Sequence, residues 1–442
     1  MTNRISLLIL VFIISNSSNC QEHKKITPGQ RQKLEQLKKE VSDDLTKNIL
    51  PYWSTKMLDN VNGGFYGRID GTEKVYPDAE KGGILNARIL WTFSSAYRVL
   101  GDKSCLNIAT RAKDYIIAHF IDDKYGGAYM SLKADGTPLN TRKHVYTNAF
   151  FIYALAEYSR ATGDKQALAE AKKIFDLFEK YAADKEFNGY FEVFSREWER
   201  VRDRMIGESS EKDEKTMNTS LHVMEAYANL YRVSGDMLVG DRLRNFIGIF
   251  LDKIIDRKTS HLICFMDRSW NSTSTVDSYG HDIESSWLLY EAATLLGDAE
   301  LTERVKETGI KIANAAAEGY QPDGSMLSDK NTATGHIRTQ RSWWEQAETV
   351  VGYLNAFELT GDETYLKKSL DCWTYIKQHF IDSKNGGWFS YVSESGVPGG
   401  DKAGFWICPY HSGRMGMEVI ERIANMLHTD HTIFPGGNPA DR

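Results

Sequence analysis

A Gly-Asp pair recurs five times along this chain, each time after an apolar stretch with helical spacing. The glycines are 62, 72, 62 and 64 residues apart and stand at Gly101, Gly163, Gly235, Gly297 and Gly361. Glycine can take the left-handed conformation that ends one helix, and aspartate can cap the next helix. Each pair therefore predicts a tight turn between two antiparallel helices, and the repeat predicts an array of helical hairpins.

A second repeat alternates with the first. Residues 61–71, 124–136, 187–194 and 384–396 combine glycines with alternating aromatic and polar residues, a pattern typical of short β-hairpins. Five Gly-Asp turns give five helical pairs, and a helix from His411 to about Leu427 can form a sixth pair with one from about Pro28 to Leu50. The predicted fold is all-α, an (α/α)6 barrel of six helical hairpins with short β-hairpin loops on one face. An open solenoid is the alternative, but the left-over terminal half-units favour a closed ring.

The domain boundaries follow from the repeats and from an unusual N-terminus. We expect one barrel domain over residues 29–432 and a tail over 433–442. Residues 1–19 have a basic start and an apolar stretch from Ile5 to Ile14, typical of an export signal. Cys20 follows in a sequence that resembles a loose bacterial lipoprotein box, which makes it a candidate lipid anchor before a linker over 20–28. This predicts a cell-envelope protein; the alternative is a cytoplasmic protein with an apolar start.

Charge and composition limit the classes of partner that the protein could bind. The net charge is −6 and the pI about 6.0, so no basic surface predicts a nucleic-acid partner. No internal apolar run is long enough for a membrane span. The spacing of the remaining four cysteines fits no zinc or redox motif, and we expect buried free thiols at Cys105, Cys264, Cys372 and Cys408. Aromatic residues make up 12% of the chain and could supply stacking surfaces for a sugar.

Aligning the repeats places polar side chains at one level of the barrel. Thirteen residues before each turn glycine stand Arg88, Phe150, His222, Glu284 and Glu348. Seventeen residues before it stand Ile84, Tyr146, Asn218, Gly280 and Trp344, with His281 one residue inside that level. The sixth inner helix starts near His411. Ionisable side chains on inner helices are costly unless paired or solvated, so four at one level predict the mouth of a pocket.

Three kinds of chemistry are compatible with such a ring. His281 and Glu284 could share a metal with His222 or His411, but the chain has no HExxH motif and Arg88 would repel a cation. Glu284 and Glu348 could act as a glycosidase pair. Histidines on different helices together with an arginine suit proton transfer near neutral pH better. The residues thus favour proton abstraction and return beside a sugar carbonyl, with no metal.

Five motifs, which follow one another in a fixed order, carry a resemblance to a known protein family. "GGILNARILW" (82–91), "MNTSLHVMEAY" (217–227), "GHDIESSW" (280–287), "RSWWEQAE" (341–348) and "CPYHSGRMGMEVIER" (408–422) resemble the N-acylglucosamine 2-epimerase superfamily, and within it the cellobiose 2-epimerases. The resemblance spans about residues 30–430 and implies the (α/α)6 barrel. It also implies inversion of C2 in the reducing-end sugar of β-1,4-linked disaccharides such as cellobiose, lactose or mannobiose, through a cis-enediolate, with an oligosaccharide as substrate and without a metal or nucleotide cofactor.

The same resemblance implies roles for individual residues. His281 and His411 are the implied acid/base pair, Arg88 stabilises the enediolate, and Glu284 orients the catalytic groups. The implied substrate-binding residues are Tyr146, Asn218, His222, Trp344, Glu348 and Trp406. His411 is also the candidate for protonating the ring oxygen when the sugar ring opens.

Other functions remain open at this point. An N-acylglucosamine 2-epimerase or an aldose–ketose isomerase would use related chemistry, and the paired tryptophans at 343–344 favour a disaccharide. A sugar-binding lipoprotein without catalysis would suit the aromatic residues and Cys20, but it would not need two histidines and an arginine that converge. We expect a monomer or a weak oligomer.

Overall fold

The computed structural model describes residues 26–201 and 212–429. The predicted export signal, Cys20, most of the linker and the C-terminal tail lie outside these residues. Within them the chain is mainly helical. The helices are α1 (Pro28–Asp44), α2 (Leu50–Thr55), α3 (Gly83–Leu100), α4 (Lys103–Tyr115), α5 (Val145–Thr162), α6 (Lys165–Leu177), α7 (Met217–Ser234), α8 (Met237–Ile249), α9 (Tyr279–Leu295), α10 (Ala299–Ala316), α11 (Trp343–Thr360), α12 (Glu363–His379) and α13 (Tyr410–Thr429).

Short irregular turns extend several of these helices. One π-helical turn, Leu45–Ile49, joins α1 to α2, and similar turns follow α4, α6 and α8 at Ile116–Phe120, Phe178–Ala182 and Phe250–Ile254. A 3-10 turn, Ala317–Gly319, follows α10. The extra turns lengthen the outer helices toward the end of the barrel where the connecting loops lie.

The Gly-Asp turns form as predicted. Gly101, Gly163, Gly235 and Gly361 cap α3, α5, α7 and α11 with φ between 61° and 77°, and Gly297 has φ 66°. The aspartate after each glycine accepts a backbone N–H in the first turn of the next helix. These two local preferences turn the chain back on itself five times.

Burial separates an inner ring of helices from an outer one. In α5, 15 of 18 residues are buried, whereas in its partner α6 only 4 of 13 are buried. The helices α3, α5, α7, α9, α11 and α13 form the inner ring, and each packs against its neighbours in the ring. A helix that is buried on all sides must lie inside a layer of other elements, so the barrel has two concentric layers.

The last helix closes the ring. Helix α13 packs against α1, which serves as its outer partner, and against α11 and α3 on either side. Arg98 on α3 donates to Glu421 on α13 at 2.7 Å and to Glu157 on α5 at 2.9 Å. Arg422 on α13 donates to Glu358 on α11 at 2.9 Å. The fold is the predicted (α/α)6 barrel, with ion pairs linking the first and last inner helices.

Short strands lie at the N-terminal ends of the inner helices. They are β1 (Lys81–Gly82), β2 (Ser131–Leu132), β3 (Pro138–Asn140), β4 (Lys143–His144), β5 (Val193–Phe194), β6 (Lys215–Thr216), β7 (Phe265–Met266), β8 (Val276–Ser278), β9 (Asp329–Asn331), β10 (Ile337–Arg338), β11 (Arg341–Ser342), β12 (Tyr391–Val392) and β13 (Pro398–Gly399). The sheets run β1-β2-β3, β4-β5, β6-β7, β8-β9-β10 and β11-β12-β13, all antiparallel.

The predicted hairpins are confirmed. Each glycine-rich segment makes a turn closed by an antiparallel residue pair, as in Ile121 with Ala128. Two of the segments continue into regular hairpins, β2-β3 and β12-β13. Longer-range pairing also joins the strand before an inner helix to a strand that follows the next outer helix, with Lys81 opposite Leu132, and local turn signals do not report that register.

Buried ion pairs hold these loops in place. The pairs Asp59–Lys81, Asp122–Lys143, Asp184–Lys215 and Asp382–Lys402 are buried, with N···O distances of 2.8, 2.9, 3.1 and 2.9 Å. In three of them the lysine stands two residues before an inner helix. Separating the partners of such a pair would leave an uncompensated buried charge. The ion pairs therefore hold the loops in place, and the loops position the starts of the inner helices.

Two further predictions concern the rest of the chain. The four described cysteines are buried free thiols, as expected. Over residues 26–201 and 212–429, no helix combines the length and apolar character that crossing a membrane requires.

Candidate active site

The inner helices open into a cavity of about 200 Å³ at the strand-bearing end of the barrel. Nine of the ten predicted site residues line it. The full lining is Arg88, Tyr146, Asn218, His222, His281, Glu284, Trp343, Trp344, Trp406 and His411. The repeat register therefore placed residues from five inner helices at one site, and His411 and Trp406 join them there.

Trp344 contacts both predicted acid/base histidines. Its ring centroid is 4.8 Å from that of His281 and 5.6 Å from that of His411. One indole therefore packs against both imidazoles at the cavity wall. Asn218 offers an amide oxygen with no hydrogen-bond partner, which makes it available to a sugar hydroxyl.

His411 is held from behind by a carboxylate. Its Nδ1 lies 2.7 Å from Oε1 of Glu348. Glu348 does not line the cavity; it is buried one layer deeper and also accepts the indole N–H of Trp287 at 3.1 Å. The structure thus places Glu348 against the imidazole of His411 and outside the cavity lining, while its predicted role in substrate binding stays a prediction.

His281 has a different second partner. Its Nδ1 lies 2.7 Å from the hydroxyl of Ser278, the residue before α9. Burial and the neighbouring His222 lower the pKa of His281, and burial and the charges of Arg88 and Arg414 lower that of His411. Both imidazoles therefore favour the neutral form at pH 7 and are able to accept a proton.

Arg88 is a buried cation that has no counter-ion among the described residues. It is 4% exposed, and its guanidinium donates to the hydroxyl of Tyr146 at 2.9 Å and to the thiol of Cys408 at 3.8 Å. Its Cζ lies 4.1 Å from the centroid of the Phe150 ring, and its Nε has no partner. No carboxylate of the described residues pairs with it, so its charge is free to interact with a ligand in the cavity.

A second buried arginine is paired with carboxylates. Arg414 donates to Glu284 at 2.5 Å and to Glu348 at 2.7 Å, and it also contacts Glu225 and Tyr410. Ligand atoms of Glu284, Glu348 and His411 lie within 4.8 Å of one another, an arrangement that by itself could hold a metal. Here the guanidinium of Arg414 lies against both carboxylates, so a cation is already provided by the chain.

Sequence reasoning missed Arg414 and Glu225. Arg414 is on the sixth inner helix, which has no Gly-Asp turn and therefore no register. Glu225 lies ten residues before its turn glycine, and at that level the other four helices carry Trp91, Tyr153, Trp287 and Val351. The one usable signal was the i, i+3 spacing of each residue from a predicted histidine, His222 for Glu225 and His411 for Arg414.

We predict that Glu284→Gln changes how stability depends on pH. Burial and repulsion from Glu348 raise the pKa of Glu284 above 4.5. The folded protein then binds this proton more tightly than the unfolded chain, and the resulting stability is complete below pH 4.5 and lost as pH rises. An amide cannot ionise. The variant should therefore gain stability relative to wild type between pH 5 and pH 8, by about 1.4 kcal/mol per unit of pKa shift, as measured by urea unfolding.

Glu225→Gln is the matched control. Arg414 and His222 lower the pKa of Glu225 to about 2 although burial opposes this. Its stabilising contribution is lost only as pH falls below 4.5, so the difference between this variant and wild type should stay constant from pH 5 to pH 8. A constant difference for Glu284→Gln as well would contradict the assignment.

Comparison with known proteins agrees with this geometry. The profile of the N-acylglucosamine 2-epimerase (GlcNAc 2-epimerase) family matches residues 64–411. Cellobiose 2-epimerases of Bacteroides fragilis and Ruminococcus albus are 50% and 41% identical over 386 residues, covering 87% of this chain and 98% of each relative. The structure of cellobiose 2-epimerase from Spirochaeta thermophila aligns with a TM-score of 0.86 and 35% identity, over 91% of this chain and 100% of the other. This chain belongs to the N-acylglucosamine 2-epimerase family.

Proposed function

We propose that this protein inverts C2 of the reducing-end sugar in β-1,4-linked disaccharides, with cellobiose as the first substrate to test. The observation that carries the proposal is the cation of Arg88, which pairs with no carboxylate of the described residues, in a cavity shared by two histidines. Burying an uncompensated charge costs free energy. That cost is offset when a negative charge develops on a substrate beside the guanidinium. The relatives named cellobiose 2-epimerase support the choice of substrate.

The reaction begins with opening of the sugar ring. The ring oxygen gains a proton and the anomeric hydroxyl loses one, so that C1 becomes a carbonyl with no net proton consumed. One histidine, in its neutral form, then removes the proton from C2 and leaves a cis-enediolate. The other histidine, which must have taken up a proton beforehand, delivers that proton to the opposite face of C2. The two histidines have then exchanged protonation states, and closure of the ring reverses the first step.

Reversibility requires both histidines in both directions. The group that acts as base on the glucose-configured sugar must act as acid on the mannose-configured sugar, because the reverse reaction uses the same steps. His281 and His411 suit these exchanging roles because each lines the cavity and each contacts Trp344.

Arg88 lowers the energy of the intermediate. The enediolate places negative charge on oxygens next to C2, and a preorganised cation in a site shielded from water stabilises such charge far more than water does. The guanidinium stays protonated throughout, since its intrinsic pKa exceeds 12. It therefore acts through charge and hydrogen bonding and does not transfer a proton.

The cavity has room for one sugar ring, and the rest of a disaccharide would lie at its mouth. Its volume, about 200 Å³, is below the roughly 300–1,000 Å³ of sites that enclose drug-sized ligands. Trp406 lines the cavity and is 38% exposed, so its indole offers a stacking face to a second ring outside. This arrangement favours a disaccharide whose reducing end enters first.

The proposal is tested by incubating the protein with cellobiose in D2O and following the sugar by NMR. We expect deuterium at C2 and a new mannose-configured reducing end. A ketose product would assign the chain to aldose–ketose isomerases, which return the proton to C1. Absence of exchange with cellobiose, lactose and mannobiose would leave a sugar-binding protein and contradict the proposal.

We predict that His281→Ala and His411→Ala each reduce epimerisation by about 10²–10⁴-fold. The histidine that remains can still remove and return the proton on its own face. Each variant should therefore exchange C2–H for deuterium without inversion, one variant with cellobiose only and the other with its mannose-configured epimer only. NMR in D2O with each epimer measures this directly.

His379→Ala serves as the control for these variants. His379 lies on the outer helix α12 and packs on Tyr375 with ring centroids 4.3 Å apart, far from the chemistry of the cavity. It should epimerise at the wild-type rate. Exchange of the same epimer by both active-site variants would remove them from an opposed acid/base pair.

A further inference from the structure

Arg414 connects two of the histidines that line the cavity. It is 1% exposed, and it donates through Nη2 to Glu348 and through Nη1 to Glu225. Glu348 contacts Nδ1 of His411 at 2.7 Å, and Glu225 contacts Nδ1 of His222 at 2.9 Å. Two hydrogen-bonded histidine–carboxylate pairs therefore contact the same guanidinium.

Both carboxylates act as acceptors toward the imidazoles. Arg414 and His222 lower the pKa of Glu225 to about 2 although burial raises it, so Glu225 is ionised. Burial raises the pKa of Glu348, while Arg414 and the indole N–H of Trp287 oppose this. Oε1 of Glu348 accepts from Arg414 and Oε2 accepts from Trp287, so both of its oxygens are engaged as acceptors. A carboxylate that only accepts requires its histidine to carry a proton on Nδ1.

His281 lacks such a constraint. Its Nδ1 contacts the hydroxyl of Ser278, and a hydroxyl can donate or accept. Within the described residues, the cavity thus contains two histidines whose tautomer is fixed by carboxylates and one whose tautomer is not.

We propose that Arg414 is a positioning residue that fixes the Nδ1-protonated form of His411 and His222 together, through Glu348 and Glu225. In His411, whose pKa burial and the charges of Arg88 and Arg414 lower, the unprotonated Nε2 is then the nitrogen left for the substrate. In His411 this lone pair is the base that the epimerisation requires. That consequence rests on the proposed function, whereas the assignment of the tautomers does not.

Loss of the guanidinium would reverse the assignment. Glu225, Glu284 and Glu348 would be buried without their shared cation, and burial of an unpaired carboxylate favours uptake of a proton from solvent. A protonated carboxyl can donate to Nδ1, and the imidazole then carries its proton on Nε2. His411 in that form has no lone pair to accept the C2 proton.

The test is the ¹⁵N NMR spectrum of the full-length protein labelled at histidine, in which Nδ1 and Nε2 shifts report the tautomer. Signals are assigned by their loss in His222→Ala and His411→Ala. In wild type we expect Nδ1–H for both rings. In Arg414→Met we expect both rings to move toward Nε2–H, together with a fall in kcat of roughly 10- to 100-fold, the size typical of losing an outer-shell partner.

Two single-carboxylate variants keep the test valid if Arg414→Met does not fold. Glu348→Gln places an amide beside His411 that can donate, and should change the tautomer of His411 while leaving that of His222. Glu225→Gln should do the reverse. If neither variant changes the tautomer of its own histidine, the proposal is overturned.

Arg422→Met is the matched control. Arg422 is a second arginine on α13, and it donates to Glu418, Asn355 and Glu358 away from the cavity. It should lower stability without changing either tautomer. Wild-type tautomers in Arg414→Met would overturn the inference while epimerase activity remained, whereas absence of epimerase activity in wild type would overturn the proposed function and leave the tautomers as observed.

Discussion

The guanidinium of Arg414 meets glutamates from three different inner helices, and much of the barrel interior depends on that contact. Glu225 on α7, Glu284 on α9 and Glu348 on α11 all converge on one side chain of α13. Each charge would be costly to bury alone. The four helices must therefore keep their spacing for the interior to remain neutralised, and the same contacts hold two histidines at the cavity wall.

The two buried arginines differ in what surrounds them. Arg414 is compensated by carboxylates, so its charge stabilises the protein and is not available to a ligand. Arg88 contacts a phenol, a thiol and an aromatic face, which satisfy hydrogen bonds without cancelling its charge. This division gives the barrel one structural cation and one cation available to a reaction intermediate. It also explains why a sugar that becomes an anion during turnover suits the cavity better than one that stays neutral.

Much of this could be predicted from sequence because the fold repeats. The turn glycines set a common register, and that register brings Arg88, His222 and Glu284 to one level. The sixth inner helix has no such turn, so Arg414 had no register, and Glu225 stands at a level where the other four helices carry no acidic or basic residue. The pairing of the strand before each inner helix with a strand beyond the next outer helix was also missed, because it joins segments far apart in sequence. What escaped prediction depends on contacts between distant segments of the chain.

The central claim is that Arg88 stabilises the enediolate, and the C2–H exchange rate of Arg88→Met with saturating cellobiose in D2O measures it most directly. The account predicts a fall in kcat for exchange of about 10²–10³-fold, as for loss of one oxyanion donor, with little change in KM and no loss of folded stability. Arg88→Lys should restore part of the rate by restoring the charge. Exchange by Arg88→Met at the wild-type rate, or a defect confined to KM, would contradict the account.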